Sequence, residues 1–133
     1  MIVVDTNLIA YLYLEGEHSK IAEAVLNKTA EWAAPLLWRS EFRNVLAVYL
    51  RKKIINNSVA LQIMEQAEEL IDGNEYAIPS EPIFELINHS QCSAYDCEFV
   101  YLAKELKTLL VTADKKILSE FPKTSISPSK FLE

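Results

Sequence analysis

A chain of 133 residues, half of them hydrophobic and 24% charged, has the size and composition of one globular domain, able to bury roughly two thirds of its unfolded-chain surface without staples. No uninterrupted apolar run approaches a membrane span, and Met1 leads straight into a strand pattern with no signal-type segment, so the expected compartment is the cytoplasm. The formal net charge of -6 excludes nucleic-acid binding by bulk electrostatic attraction, but it leaves room for a mode in which bound divalent cations attract phosphate.

Along the chain, Met1 to Val4 reads as a short buried strand, Asp5-Thr6-Asn7 follows, and Leu8 to Leu14 is an apolar helical stretch. His18 to Asn27 is helical through Ile21, Ala22, Val25 and Leu26, and Glu31 to Ala34 is a strand candidate. Pro35 suits the first position of a long helix reaching Lys53. Asn56-Asn57-Ser58 supplies caps for a helix from Val59 to Ile71, stopped at Asp72-Gly73. Tyr76 to Ile78 reads as a strand, Ser80 to Asn88 as a helix with Pro82 in its first turn, and Ser93 to Lys107 as a further helix. Leu109 to Thr112 then forms a strand, Lys115 to Phe121 a short helix, and Thr124 to Ile126 a last strand. This alternation predicts an α/β fold in one domain, residues 1–133, with about five parallel strands covered on both faces.

Four acids fall where these elements bring a carboxylate toward the interior or to a strand end. Asp5 and Asp114 each follow a strand, and in an open parallel sheet ligands bind beyond the carboxyl ends of strands where the order reverses. Glu41 has Leu37, Trp38, Asn44 and Val45 three and four residues away, which puts its carboxylate on a largely apolar stripe. Asp96 shares a helical face with Phe99, Val100 and Ala103. A buried unpaired carboxylate is strongly disfavoured, and a divalent cation is one remedy. A plainer reading fits three of them: Asp5 and Asp114 are well placed as helix N-caps, and Ser93-x-x-Asp96 matches a capping box. Glu41 lies past the first helical turn and has no capping role, so the metal hypothesis rests on the set.

Cys92 and Cys97 have neither redox nor zinc-ribbon spacing and read as reduced packing residues; His89, Cys92, Asp96 and Cys97 do not converge well as a zinc cluster. Candidate phosphate contacts are Arg39 with Arg43, an i,i+4 pair, and Lys115 with Lys116, each of which also fits a solvated helix surface. The helices from Leu36 to Ile71 carry more apolar residues than one buried stripe demands, including Trp38, Phe42, Tyr49, Ile54, Ile55, Ile63 and Met64.

Taken together, Val3-Val4-Asp5-Thr6-Asn7, Ser40-Glu41-Phe42, the run Tyr95 to Ala103 with Asp96 in it, and Leu110 to Lys116 with Asp114 in it resemble a PIN domain, particularly the small VapC-like ribonucleases of prokaryotic toxin-antitoxin pairs. The resemblance spans nearly the whole chain in order. It implies a Rossmann-like three-layer fold and a Mg²⁺- or Mn²⁺-dependent endoribonuclease site holding one or two ions, with Asp5, Glu41, Asp96 and Asp114 as catalytic and metal-binding acids and Thr112 and Asn7 as polar support. It also implies an RNA substrate, a homodimer and a cognate antitoxin, with a groove for a partner helix beside the Leu36 to Ile71 region. Many members carry another acid just after the fourth, whereas Lys115, Lys116 and Ile117 stand here and the next acid is Glu120. Glu98 is a possible substitute, but two residues from Asp96 on a helix it points about 200° away, as a surface charge would.

The chemistry of such a site needs hard oxygen ligands, a water made more acidic by the metal, and positive charge at the phosphate, with no histidine or cysteine required. It would leave a 5′-phosphate and a 3′-hydroxyl. The main alternative is a non-catalytic interaction module whose acids are caps. A phosphotransfer domain with Asp5 as nucleophile lacks the expected Asp-x-Asp, since Asn7 occupies the second position.

Overall fold

A computed structural model describes residues 1–133. Five parallel strands form one sheet in the order β3-β2-β1-β4-β5. They are β1 (Ile2–Val4), β2 (Trp32–Pro35), β3 (Glu75–Tyr76), β4 (Leu110–Val111) and β5 (Ser125–Ile126). Every residue of β1, β2 and β4 is buried, which is why these strands read as continuous apolar runs rather than alternating ones. The helices are α1 (Thr6–Tyr13), α2 (Ser19–Lys28), α3 (Leu37–Arg51), α4 (Asn57–Ile71), α5 (Ser80–Asn88), α6 (Ala94–Glu105), α7 (Lys115–Glu120) and α8 (Pro128–Phe131). None is long and apolar enough to cross a membrane.

Helix α6 packs on β1, β2 and β4 with α5 beside it, while α3 and α4 pack against β2 and α1 joins α2, α3 and α4. The core is one cluster of 27 buried apolar residues, with Trp32, Trp38, Phe42, Ile71 and Leu102 among the largest fully buried side chains. The register pairs Val3 with Leu110 and Val4 with Val111, so β1 and β4 end side by side. Because β2 lies on the other side of β1, the sheet reverses its order between β1 and β4. A crevice therefore opens at the carboxyl ends of these two strands.

Most local signals act as read. Asn56 caps α4 by accepting from the Val59 N–H at 2.9 Å, and Gly73 takes the left-handed φ of +79° that ends the turn into β3. Pro35 is a correction: it closes β2, paired with Tyr76, rather than starting α3. The short C-terminal helix α8, capped by Ser127, was not anticipated. Lys53 (φ 58°) and Lys107 (φ 55°) carry α3 and α6 into left-handed C-terminal turns, each closed by a 6→1 bond, Ile54 N–H to Tyr49 C=O and Thr108 N–H to Ala103 C=O. The apolar excess of α3 and α4 is also redistributed. Trp38, Phe42 and Met64 belong to the core, and the exposed apolar residues of this region are Leu36, Val48, Ile54, Val59 and Leu61.

Candidate active site

Asp5, Glu41, Asp96 and Asp114 all line one cavity of about 260 Å³, together with Thr6, Asn7 and Asn44. They reach it from four places: Asp5 from the end of β1, Asp114 from the segment after β4, Glu41 from the second turn of α3, and Asp96 from the first turn of α6. The capping roles expected of Asp5 and Asp114 are real and serve the same arrangement. Asp5 Oδ1 accepts from the Leu8 N–H at 2.9 Å, and Asp114 Oδ1 accepts from the Lys116 and Ile117 N–H groups at 2.9 and 3.0 Å. Ser93 caps α6 by accepting from the Asp96 N–H at 3.1 Å. A cap fixes one oxygen of a carboxylate and thereby aims the other.

Two threonines complete the frame. Thr112 Oγ1 donates to Asp5 Oδ2 and accepts from the Asp114 N–H at 3.0 Å, tying the ends of β1 and β4 together. Thr6 Oγ1 donates to Glu41 Oε1 at 2.7 Å and so orients the acid from α3. Thr112 was expected as polar support; Thr6 and Asn44 were not. The only sequence signal for Thr6 was its place between Asp5 and Asn7, and Asn44 stands one helical turn from Glu41.

Burial and mutual repulsion set the electrostatics. Asp5 is buried, and its pKa is pushed up to about 6, first by desolvation and then by the charges of Asp114 and Glu41, against the lowering effect of its Thr112 and Leu8 hydrogen bonds. Burial also raises Glu41, with Thr6 opposing and Asp96 adding to the rise. Asp96 is raised by burial and by Asp114, while Ser93 and Lys116 pull it back. The Asp5 charge reaches Tyr11 as well, whose phenol is raised by burial and then by Asp5 and Glu17.

The donor set is entirely hard oxygen, and Glu41 Oε2 and Asp114 Oδ2 receive no hydrogen bond from the protein. That chemistry fits Mg²⁺ or Mn²⁺. No three acidic, His or Cys side chains are drawn together tightly enough to form a ready-made cage. The four carboxylates come from four separate elements, and like charges repel across the cavity.

The basic candidates separate. Arg39 is committed elsewhere: its Nε and Nη2 donate to Glu75 at 2.6 and 2.7 Å and Nη1 donates to Glu68, a network that the Trp38 indole N–H joins at Glu75. Arg43, Lys115 and Lys116 form no ion pair. Glu120 accepts from the Gln91 N–H and does not line the cavity, so it does not replace the missing acid after Asp114. Glu98, expected as a surface charge, is partly exposed rather than fully so. Its pKa is raised by desolvation and by Glu41, although it too lies outside the cavity lining. Both cysteines are buried and free.

The sequence pattern of the PIN domain family matches residues 2–123. Ribonuclease VapC3 from Pyrobaculum aerophilum is 27% identical over 124 residues, covering 91% of this chain and 95% of that protein. Among solved structures, the crystal structure of FitAcB from Neisseria gonorrhoeae superposes with a TM-score of 0.75 at 18% identity, covering 97% of this chain and 99% of that one. A toxin-antitoxin complex from Klebsiella pneumoniae gives 0.73 at 18% identity, over 96% and 98% of the two chains. At these identities the structural likeness speaks for the fold.

Proposed function

Because the chain belongs to the PIN domain family, we propose that it is a metal-dependent endoribonuclease of the VapC type, acting as the toxin of a toxin-antitoxin pair. One observation carries the reading: four acids remote in sequence line a single cavity at the point where the sheet reverses its strand order. The ribonuclease name of a relative aligned over nearly the full length supports it. We read residues 1–133 as one such domain, working in the cytoplasm where its RNA is found.

In this reading Asp5, Glu41, Asp96 and Asp114 hold one or two Mg²⁺ or Mn²⁺ ions. When bound, the metal supplies a Lewis acid for the scissile phosphate and lowers the pKa of water, as hydrolysis to a 5′-phosphate and a 3′-hydroxyl requires. The protein's own contribution is orientation. Thr112 fixes Asp5 and the backbone of Asp114, Thr6 fixes Glu41, and the burial of Asp5 puts its carboxylate in a poorly solvated setting where it would act strongly on a cation. Asn7 and Asn44 present amides at the cavity wall, and Arg43, Lys115 and Lys116 are the cations left to meet the RNA backbone. A partner of antitoxin type and a second copy of the chain are the expected protein partners, with the exposed Ile54 and Leu61 region available to them.

The test is cleavage of structured and single-stranded RNA with Mg²⁺, Mn²⁺ or chelator, by the wild type and by Asp5→Asn and Asp96→Asn. Cleavage with either metal, lost in chelator and in both variants while circular dichroism is retained, supports the reading. Undiminished cleavage in chelator or in both variants would refute it. The caps at Asp5, Asp114 and Ser93 favour a second reading, an interaction module whose acids only terminate helices. Under that reading no RNA is cut, and Mn²⁺ leaves the melting curve unchanged.

A further inference from the structure

A second cavity of about 260 Å³ adjoins the acidic one and shares Asn7 and Val45 with it. Its walls differ in kind. Tyr11 from α1, His18 from the α1–α2 loop and Tyr49 from α3 bring three rings to it, with Leu14 and Val45 supplying aliphatic surface. The Tyr11 and His18 rings lie 4.6 Å apart between centroids, tilted by 34°, and His18 remains exposed. Although His18 stands at the N-cap of α2, its side chain makes no capping hydrogen bond, so the ring is not needed to start that helix. The acidic residues at this cavity are Glu15 and Glu17, the latter with Oε1 3.2 Å from His18 Nε2, and neither lysine nor arginine lines it.

We propose that this cavity is a subsite for one nucleobase of the RNA, the base next to the scissile phosphate. The proposal rests on the ribonuclease reading and deepens it. Of the components of RNA, phosphate is repelled by Glu15 and Glu17, and the ribose offers no flat face to the rings. A base is uncharged and planar, and stacks on aromatic side chains. The shared wall of Asn7 and Val45 places a base in this cavity within one nucleotide of a phosphate at the acids. The two rim carboxylates act only as acceptors when ionised, so they favour a base with adjacent imino and amino hydrogens on one edge, guanine above all, over uracil, which offers a single imino hydrogen between two carbonyl acceptors.

The experiment uses a single-stranded RNA pool with a randomised centre, cut in Mn²⁺ by the full-length protein and sequenced at the new ends. The wild type is expected to show a base preference at one position adjoining the cut, and His18→Ala and Tyr11→Leu to flatten the preference at that position while products still form at other sequences. Cleavage of the preferred sequence should fall about tenfold, the usual scale for losing one stacked base. His18 is exposed, so its variant answers the question even if Tyr11→Leu folds poorly. A preference kept unchanged in His18→Ala and a folded Tyr11→Leu, or no preference beside the cut in the wild type, overturns the subsite and leaves the nuclease standing; the cavity would then be one for a protein side chain. Absence of cleavage by the wild type in Mn²⁺ removes the nuclease reading and this inference with it.

Discussion

Replacing Asp5 by Asn should stabilise the metal-free protein at alkaline pH, although it removes a buried residue's charge and one of its hydrogen bonds. The folded pKa of about 6 against an ordinary value of 3.8 corresponds to a penalty of roughly 3 kcal/mol for holding the ionised form in the fold. Asn keeps an oxygen to accept from the Leu8 N–H but loses the charge-assisted bond from Thr112, so a net gain of about 1–2 kcal/mol is the realistic figure. For a domain of this length that is roughly 4–8 °C in Tm. A raised carboxyl pKa means that the native state binds a proton more readily than the unfolded chain. The penalty is therefore full above about pH 6 and is relieved as pH falls from there toward 4, where the wild type should catch up with the variant. The assay is thermal denaturation in EDTA between pH 4 and 8. An Asn variant no more stable than the wild type at pH 8, or a difference that does not shrink at low pH, would refute the argument that Asp5 is an uncompensated buried charge.

Adding Mn²⁺ at one hundred times its dissociation constant should stabilise the wild type by about 2.7 kcal/mol, on the order of 10 °C, and Asp5→Asn should lose most of that gain; calorimetric scans with and without the ion check it. Arg39→Ala should cost about 2–4 kcal/mol in urea denaturation, because it strands Glu75, whose side chain is only 14% exposed. The Arg39 hydrogen bond holds the Glu75 carboxyl below its ordinary 4.5, so this contribution is present above about pH 4.5 and should fade as pH drops further. RNA cleavage by a mildly destabilised Arg39→Lys variant should be unchanged below its melting temperature, since Arg39 is engaged away from the acidic cavity. Lys107→Gly should raise stability by about 0.5–1 kcal/mol by relieving the left-handed backbone at φ 55°, measured by the same denaturation.

The sequence by itself determined the element order as far as β5, the parallel character of the sheet and the choice of four candidate acids, because each is written in local chemistry. Fully buried strands such as Ile2–Val4 appear as unbroken apolar runs, caps such as Asn56 and Ser93 announce helix starts, and an acid on the apolar face of α3 contradicts its surroundings visibly enough to be singled out. Proximity is not local, and there tertiary structure decided. That β1 and β4 are neighbours follows only from pairing across more than a hundred residues, and without it Asp5 and Asp114 are two separate helix caps. Arg39 and Arg43 are equivalent on the helix they share; only the arrival of Glu75 on β3 and Glu68 on α4 commits the first to an ion-pair network. Glu98 projects away from Asp96, as the helical angle requires, yet still comes within the field of Glu41, because α3 and α6 approach each other in a way neither segment encodes. Hydrogen-bond geometry and burial arise between elements, so they become readable when the elements have packed.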